Sequence, residues 1–536
     1  MAYEYTEYPY KPPQSHTKPK ERHPVVIVGA GPVGLSMAID LALHGIKSIV
    51  LDENNVVSVG SRAICWAKRT LEIFDRLGVG ERLLAKGITW KIGRQFHRER
   101  EIYSFNLLPE DGHKYPAFIN IQQYYVEEYL IHRAMEFPAL VDLRFKHRVI
   151  DHHQENNCVQ LTVHTPDGEY ALEADWYIAC DGARSTTRER MGLTFEGQSF
   201  EEQFLIADIE MEEGPFDKRA DPERWFWFDP PFHTGKSALL HMQPDNIYRI
   251  DLQLDVDADI SIEAERDTIE TRVRAIVENK PFRLDWASIY KFQCAKLDRF
   301  VHGRIIFAGD SAHVVSPFGA RGGNGGIQDI DNLGWKLSAV IKGEAPAHLI
   351  ESYNEERSYG SAENILNSSR ATNFMTPKSP IEALFRTETL RLARNHLFAQ
   401  KLINSGRLSV PCSLAGFDLQ TPGISAHIPI GSSAIDAPLT KDGAESWMIE
   451  HVQDQFTLVG FGDIALPRIN GIQRIGIDQA TVDYPCYSAR QSMATQRYGT
   501  KIAYLFRPDG HICATFTDPD SAKIEAALQR AKGLSR

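Results

Sequence analysis

The chain has 536 residues, 43% of them hydrophobic and 24% charged, an ordinary globular composition with room for about three domains. Its formal net charge of −12 and isoelectric point near 5.9 argue against a nucleic-acid groove or an anionic membrane surface as the main partner. Seven cysteines form no C-x-x-C pair and no cluster at metal-ligand spacing, so neither a disulfide framework nor a metal site is expected, and a reducing cytoplasm fits.

Residues 1–22, with Tyr3, Tyr5, Tyr8, Tyr10 and the pair Pro12-Pro13, lack the apolar core of a secretory signal and read as an extended arm. No run of about eighteen apolar residues follows anywhere, so no spanning helix is expected. Pro24-Val-Val-Ile-Val28 is a continuous apolar run, the pattern of a strand buried on both faces. It leads into Gly29-Ala-Gly31-Pro-Val-Gly34, and then Leu35, Ala38, Ile39 and Ala42 mark the buried stripe of a helix. Lys47 to Leu51 makes a second strand, ending at Asp52. This is a dinucleotide fingerprint in its strand-turn-helix-strand context. Gly29 and Gly31 let a pyrophosphate approach amides at a helix N-terminus, and Asp52 is placed to accept ribose hydroxyls. The fingerprint alone does not separate NAD from FAD.

Further along, Trp176 to Cys180 is another apolar strand, followed by Asp181-Gly182-Ala-Arg184-Ser185, with Ser185 as the cap of a helix from Thr186 to Met191. Alone, Asp-Gly is simply a turn. Residues 200–298 change character: Tyr248-Arg-Ile-Asp-Leu-Gln-Leu254 alternates, and Trp225-Phe-Trp-Phe228 is aromatic, as in an antiparallel sheet with one covered face. His241 and Arg249 are candidates to reach a pocket there, although alternation does not fix which face they occupy. Arg304 to Ala308 is one more buried strand and delivers Gly309-Asp310 at its carboxyl end, where open α/β sheets bind ligands. A loop, Pro317-Phe-Gly319-Ala-Arg-Gly322-Gly323-Asn324, then opens a helix whose face carries Ile327, Ile330, Leu333, Leu337 and Ile341. Residues 376–412 look helical, Thr421 to Pro438 reads as a linker, and short strands with a last helix, Ser521 to Ala531, close the chain. Gly460-Phe-Gly462 lacks a third glycine and a following helix, so it is read as structural.

The trio of Gly29–Gly34, Asp181-Gly182 and Gly309–Asn324 resembles the single-component FAD-dependent aromatic hydroxylases, the family of 4-hydroxybenzoate hydroxylase and phenol hydroxylase. The resemblance implies that Gly29, Gly31, Gly34 and Asp52 hold the ADP half of FAD. It further implies that Asp310 holds the ribityl chain, and that amides of Gly322, Gly323 and Asn324, with Pro317, face the flavin ring. Asp181 is associated in that family with FAD and the nicotinamide donor, while Arg62 and Gln123 fall in contexts that usually contact FAD. The fold implied is α/β, with a Rossmann-like FAD-binding domain in two parts (residues 23–199, with some substrate-domain strands, and 299–420). A mostly antiparallel substrate sheet (200–298) is inserted, and a thioredoxin-like C-terminal domain lacking C-x-x-C follows (421–536).

The activity implied is hydroxylation of a phenolic small molecule, with NADH or NADPH as electron donor and O₂ as oxidant, through a flavin C4a-hydroperoxide. A homodimer is implied as well, and neither nucleic acid nor a membrane is expected as partner. No position matches the family's variable substrate-activating residues, so no catalytic base is assigned. Two other readings remain open. Trp225-Phe-Trp227-Phe-Asp229-Pro230 is similar to the W-x-W-x-I-P signature of flavin-dependent halogenases, with Asp229 in place of isoleucine. A non-catalytic flavin-binding scaffold is the second.

Overall fold

The structure, a computed structural model, describes residues 3–13, 21–60, 62–215, 221–317, 319–403, 410–423, 426–480 and 483–535. Two residues of the motifs above, Ser61 beside Arg62 and Phe318 in the glycine-rich loop, lie outside these, as does part of the arm.

The apolar runs become the strands expected of them. Glu21–Val28 lies between Ser48–Asp52 and Gly168–Ala179, all parallel, with Val141–Phe145 beyond one neighbour and Ile305–Phe307 beyond the other. In register, Val28 stands opposite both Leu51 and Ala179, and Ala179 stands opposite Phe307. The three motifs therefore leave the sheet from one line. The helix Pro32–Leu43 and the long, almost wholly buried helix Gly322–Ile341 pack against each other on this sheet. Their contact is close because Gly326 faces Val33 and Gly334 faces Asp40; a Cβ at Gly334 would overlap the Asp40 carboxylate.

The second sheet has eight strands, most of them within 200–298 and others outside it. Its centre is Glu196–Glu210, Ser237–Gln243 and Ile247–Gln253, flanked by Arg283–Lys296 on one side and Glu223–Phe228 on the other. Beyond Glu223–Phe228 it takes in Ile92–His97 and Arg100–Asn106 from the first half of the chain. One face of this sheet packs its Leu205, Ala207, Leu240, Ile250 and Leu252 on the helix Arg266–Ile276. The other face is also covered: every residue of Ile247–Gln253 is buried, including Arg249, Asp251 and Gln253. The expectation of a single covered face is corrected here. Alternation of polar and apolar residues marks two different faces, and a polar face can look inward as well as out.

The helical region is also subdivided. Leu349–Met375 forms one 27-residue helix, and the expected helical region over 376–412, of which 404–409 lie outside the described residues, contains the helices Pro380–Ala393 and Leu397–Leu402. Leu390 is buried against the second sheet, whereas Leu384, Leu397 and Leu402 are exposed. The arm lies along the first domain. Tyr8 stacks on Phe145, Tyr10 bridges to the same strand, and the Tyr5 hydroxyl accepts the Gly60 N–H at 3.0 Å. Among the described residues no helix is long and apolar enough to cross a membrane.

Strands within 438–516 form a seven-stranded mixed sheet, with Thr457–Phe461, Gln473–Ile477 and Cys486–Ala489 parallel, Ile502–Phe506 antiparallel to Thr457–Phe461, and Ile512–Phe516 antiparallel to Ile502–Phe506. A buried web of charge joins it to the rest. Arg507 pairs with Glu356 at 2.6 Å and with Asp509, Lys336 reaches Glu356 at 2.8 Å, and Arg69 bridges Asp331 and the Asp509 carbonyl. Burial pushes the Glu356 carboxyl up, but Arg507 and Lys336 outweigh it and hold the group well below the usual carboxylate range.

Removing one member leaves its partners charged and dry. Arg507→Met is expected to cost about 3–5 kcal/mol in urea denaturation at pH 7. Because the folded Glu356 titrates low, its contribution is present above the unfolded value of about 4.3 and is lost as the pH falls below it. A pH series of denaturation midpoints checks this, and the acid-side slope flattens in the variant.

Candidate functional site

The line of strand ends sets the site. At the first, Gly29 turns with φ of +103°, and a Cβ there would overlap the Cys180 carbonyl oxygen. Gly34 packs against Gly29 itself. Gly31 differs from both: it caps the helix Pro32–Leu43 and has nothing within 4 Å of where its Cβ would stand. The open space lies at the helix N-terminus, where first-turn amides have no intrahelical acceptor and the dipole favours an anion. Asp52 braces this turn. Its Oδ2 accepts the Ala30 N–H at 2.7 Å and its Oδ1 accepts the Asn54 N–H at 2.8 Å. Burial pushes its carboxyl up, and only its remaining lone pairs are left for a ribose hydroxyl.

The second and third motifs stand beside the first. Asp181 Oδ2 accepts from the Thr187 N–H and Oγ1 at 3.1 and 2.9 Å, whereas Oδ1 is buried with no hydrogen-bond partner among the described residues. Asp310 follows the wholly buried strand Ile305–Phe307, yet its side chain is exposed and makes no hydrogen bond among the described residues. An exposed carboxylate just past the carboxyl end of a buried strand marks the floor of a cleft. Burial by the surrounding walls pushes its pKa up, and His313 and Arg62 pull it back. Arg62 is exposed on a neighbouring loop.

Above Asp310 begins the glycine helix. Gly322, Gly323 and Asn324 occupy its first turn, so their N–H groups are free of intrahelical acceptors. A Cβ at Gly322 would come within 4.0 Å of Asp310 Oδ1, and one at Gly323 would lie 3.3 Å from the Trp66 ring. The Asn324 side chain is structural: its Oδ1 accepts the Ala67 N–H at 2.8 Å and its Nδ2 donates to the Cys65 carbonyl at 2.9 Å. Pro317 is exposed and accepts the Ala320 N–H, closing the loop before the helix. Gln123 is spent within the protein. Its Oε1 accepts the Ala63 N–H, and its Nε2 donates to Ser58 and Glu127, which fixes the Arg62 loop from behind.

The structure thus brings Gly29, Gly31, Gly34, Asp52, Asp181 and Asp310 to one line, with Gly322, Gly323 and Asn324 facing it from the second helix. A groove with two helix N-termini and acceptor carboxylates between them matches a long anionic dinucleotide bearing hydroxyls.

The buried polar face of the second sheet turns toward this cradle. Arg249 donates to the Arg62 carbonyl at 3.0 Å and to Asp208 at 3.1 Å. Asp208, Arg249 and His241 stand in one cross-strand row, with Asp251 two residues along, and the charges of Arg224, Arg249 and Asp251 all act on Cys65. Burial, reinforced by Arg224 and Arg249, holds His241 well below its ordinary pKa, and so keeps the ring neutral. His241 and Arg249 both lie on this buried face, with Arg224, Asp251 and Cys65, which sequence reasoning did not single out. A polar residue in phase with Phe226 and Phe228 on an aromatic strand is the signal that Arg224 offered.

The FAD binding domain family matches residues 22–368. A 12-dehydrotetracycline 5-monooxygenase/anhydrotetracycline 6-monooxygenase of Streptomyces rimosus is 30% identical over 432 residues, 79% of this chain and 82% of that protein. A para-nitrophenol 4-monooxygenase of a Pseudomonas species is 28% identical over 340 residues, 62% of this chain and 82% of that one. The crystal structure of the flavin-dependent monooxygenase PieE, in complex with FAD and substrate, shares the fold. It has a TM-score of 0.81 at 18% identity and covers 97% of this chain and 100% of that one.

Gly29 and Gly31 separate packing from ligand space. Gly29→Val is expected to destabilise the protein, whereas Gly31→Val leaves the stability of the flavin-free protein intact. The latter should bind FAD at least about tenfold more weakly, 1.4 kcal/mol or more. Flavin-to-protein absorbance ratios and denaturation midpoints distinguish the two.

Proposed function

The chain belongs to the FAD-dependent aromatic hydroxylase family of flavoprotein monooxygenases, and from that premise we propose that it hydroxylates a phenolic aromatic compound with NADH or NADPH and O₂. What carries the reading is the convergence of two helix N-termini, Asp181 and Asp310 on one line of strand ends, under a buried polar sheet face.

In this reading the amides beside Gly31 hold the pyrophosphate, Asp52 takes the adenosine ribose, and Asp310, with Arg62 nearby, takes the ribityl hydroxyls. Asp181, with its free Oδ1, supplies a further acceptor at the same edge. The amides of Gly322, Gly323 and Asn324 face the pyrimidine edge of the ring, where a helix N-terminus favours negative charge. FAD held there would supply the redox chemistry of the reaction, two-electron acceptance from the nicotinamide and activation of O₂, with one oxygen atom entering the ring and the other ending in water. The protein orients the phenol, excludes water with its doubly covered sheet, and moves the phenolic proton through the cluster around His241.

The halogenase alternative loses its motif. Trp225 and Trp227 lie on the face opposite Arg224 and Phe226, packed with Phe96 and Phe232 rather than toward the cradle. The parallel strands of the tail sheet support a thioredoxin-like unit; its cysteines, Cys486 and Cys513, are both free and form no C-x-x-C, so its role is packing. Free cysteines throughout support a cytoplasmic setting. The exposed Leu384, Phe385, Leu397 and Phe398 support a homodimer.

Purified protein is expected to be yellow, to consume NADH or NADPH faster when a phenol is added, and to place one atom of ¹⁸O₂ in the product. If no phenol accelerates consumption, the scaffold reading takes over. A chloride-dependent product formed only with separately reduced FAD would restore the halogenase.

A further inference from the structure

The arm grips the protein by two unequal halves. In an extended chain alternate side chains share a face, and the order Tyr3, Tyr5, then Tyr8, Tyr10 shifts that phase between residues 5 and 8. The second half is the anchor. Tyr8 is 6% exposed and stacked on Phe145 at 4.9 Å, and the Tyr10 hydroxyl donates to Asp167 at 3.0 Å. The first half is held more lightly. Tyr5 is 37% exposed; its ring meets Tyr3 edge-on at 4.9 Å and Tyr124 at 5.9 Å, and its hydroxyl accepts the Gly60 N–H. Burial, with Asp285, Asp208 and Glu127 nearby, pushes the Tyr5 pKa up, so the group stays a neutral phenol.

Gly60 belongs to a loop whose backbone is held by side chains. The Ser58 N–H is taken by Glu127 and the Ala63 N–H by Gln123, both on the helix Gln123–Met135 that also carries Tyr124. The second sheet backs the same loop. Arg249 holds the Arg62 carbonyl, and a Cβ at Gly60, where φ is +77°, would overlap the Trp286 indole. Tyr5 meets Gly60 from the arm. Two residues on stands Arg62, near enough to act electrostatically on Asp310 in the cleft.

We infer that Tyr5 is a positioning residue for the cofactor: its bond to Gly60 keeps Arg62 beside Asp310, and the arm thereby sets how fast FAD leaves the protein. This rests on the FAD reading of the cleft and adds a control on retention from outside it. A phenol accepting one amide N–H contributes little to the stability of the whole chain. Its effect is local, because a loop held mainly by side chains opens more often when one of them lets go. Tyr8 and Tyr10 keep the arm docked while Tyr5 disengages, so the loop is freed without release of the arm.

The test uses the full FAD-bound chain. FAD retained after timed passage through a desalting column gives the release rate, and denaturation midpoints of the flavin-free protein give its stability. Tyr5→Phe keeps the ring and loses the acceptor. It is expected to release FAD about threefold or more faster, and Tyr5→Ala about tenfold or more, with the flavin-free midpoint unchanged. Tyr10→Phe removes a hydrogen bond from the anchoring half and leaves release at the native rate. Arg62→Ala speeds release by itself, and adding Tyr5→Phe to it brings no further increase, because Tyr5 acts through that loop. Native release rates in both Tyr5 variants, an equal increase in Tyr10→Phe, or full additivity with Arg62→Ala overturn the inference alone. A purified native chain that takes up no FAD overturns the reading beneath it as well.

Discussion

The close contact between the helices Pro32–Leu43 and Gly322–Ile341 is the constraint on which the site depends. Each begins at the carboxyl edge of the same sheet, and their separation is set where Gly326 meets Val33 and Gly334 meets Asp40. A methyl group at either glycine would force the axes apart and turn the two N-termini away from each other. The contact is reinforced by charge, since Asp40 pairs with Arg76, which also reaches Asp331 on the second helix at 3.1 Å. Beyond it, His313 and Arg357 outweigh burial and keep Asp329 ionised, so that it anchors the Gly309 N–H at 2.9 Å. The orientation of the cradle is thus fixed by packing and by buried ions together, not by the loops that line it.

The same ions integrate the tail. Arg507 lies in the tail segment, Glu356 on the helix Leu349–Met375, and Lys336 on the glycine helix. The Arg507–Glu356 pair crosses between the two sides, as does the bond from Arg69 to the Asp509 carbonyl. A desolvated ion web of this kind is weak evidence for high stability. Its geometric effect is firmer, because the tail is held in one orientation against the glycine helix.

Much of the fold was legible because parallel strands covered on both sides are written as unbroken apolar runs. Val25 to Val28, Tyr177 to Ala179 and Ile305 to Phe307 each announced themselves, and the residues after them followed. The substrate sheet was legible only in part. Ile92–His97 and Arg100–Asn106 join it from a distant stretch of chain, and pairing between remote strands leaves no local trace. The polar alternation of Arg249, Asp251 and Gln253 looked like a solvent face because sequence carries the period and not the direction. Gln123 shows the converse, since its context pointed at the cofactor while its three hydrogen bonds turn it into a brace for the Arg62 loop.

The arm adds one more constraint to that loop. Tyr5 caps the Gly60 amide, and the Tyr8 N–H donates to the Asn55 carbonyl at 2.7 Å, so the stretch from 55 to 60 is tethered from outside just before Arg62. The stretch before Arg62 is therefore pinned from its outer side by two tyrosines of the arm. Whatever peels that tyrosine ribbon away would slacken the Arg62 loop without touching the sheet or the two helices beside it.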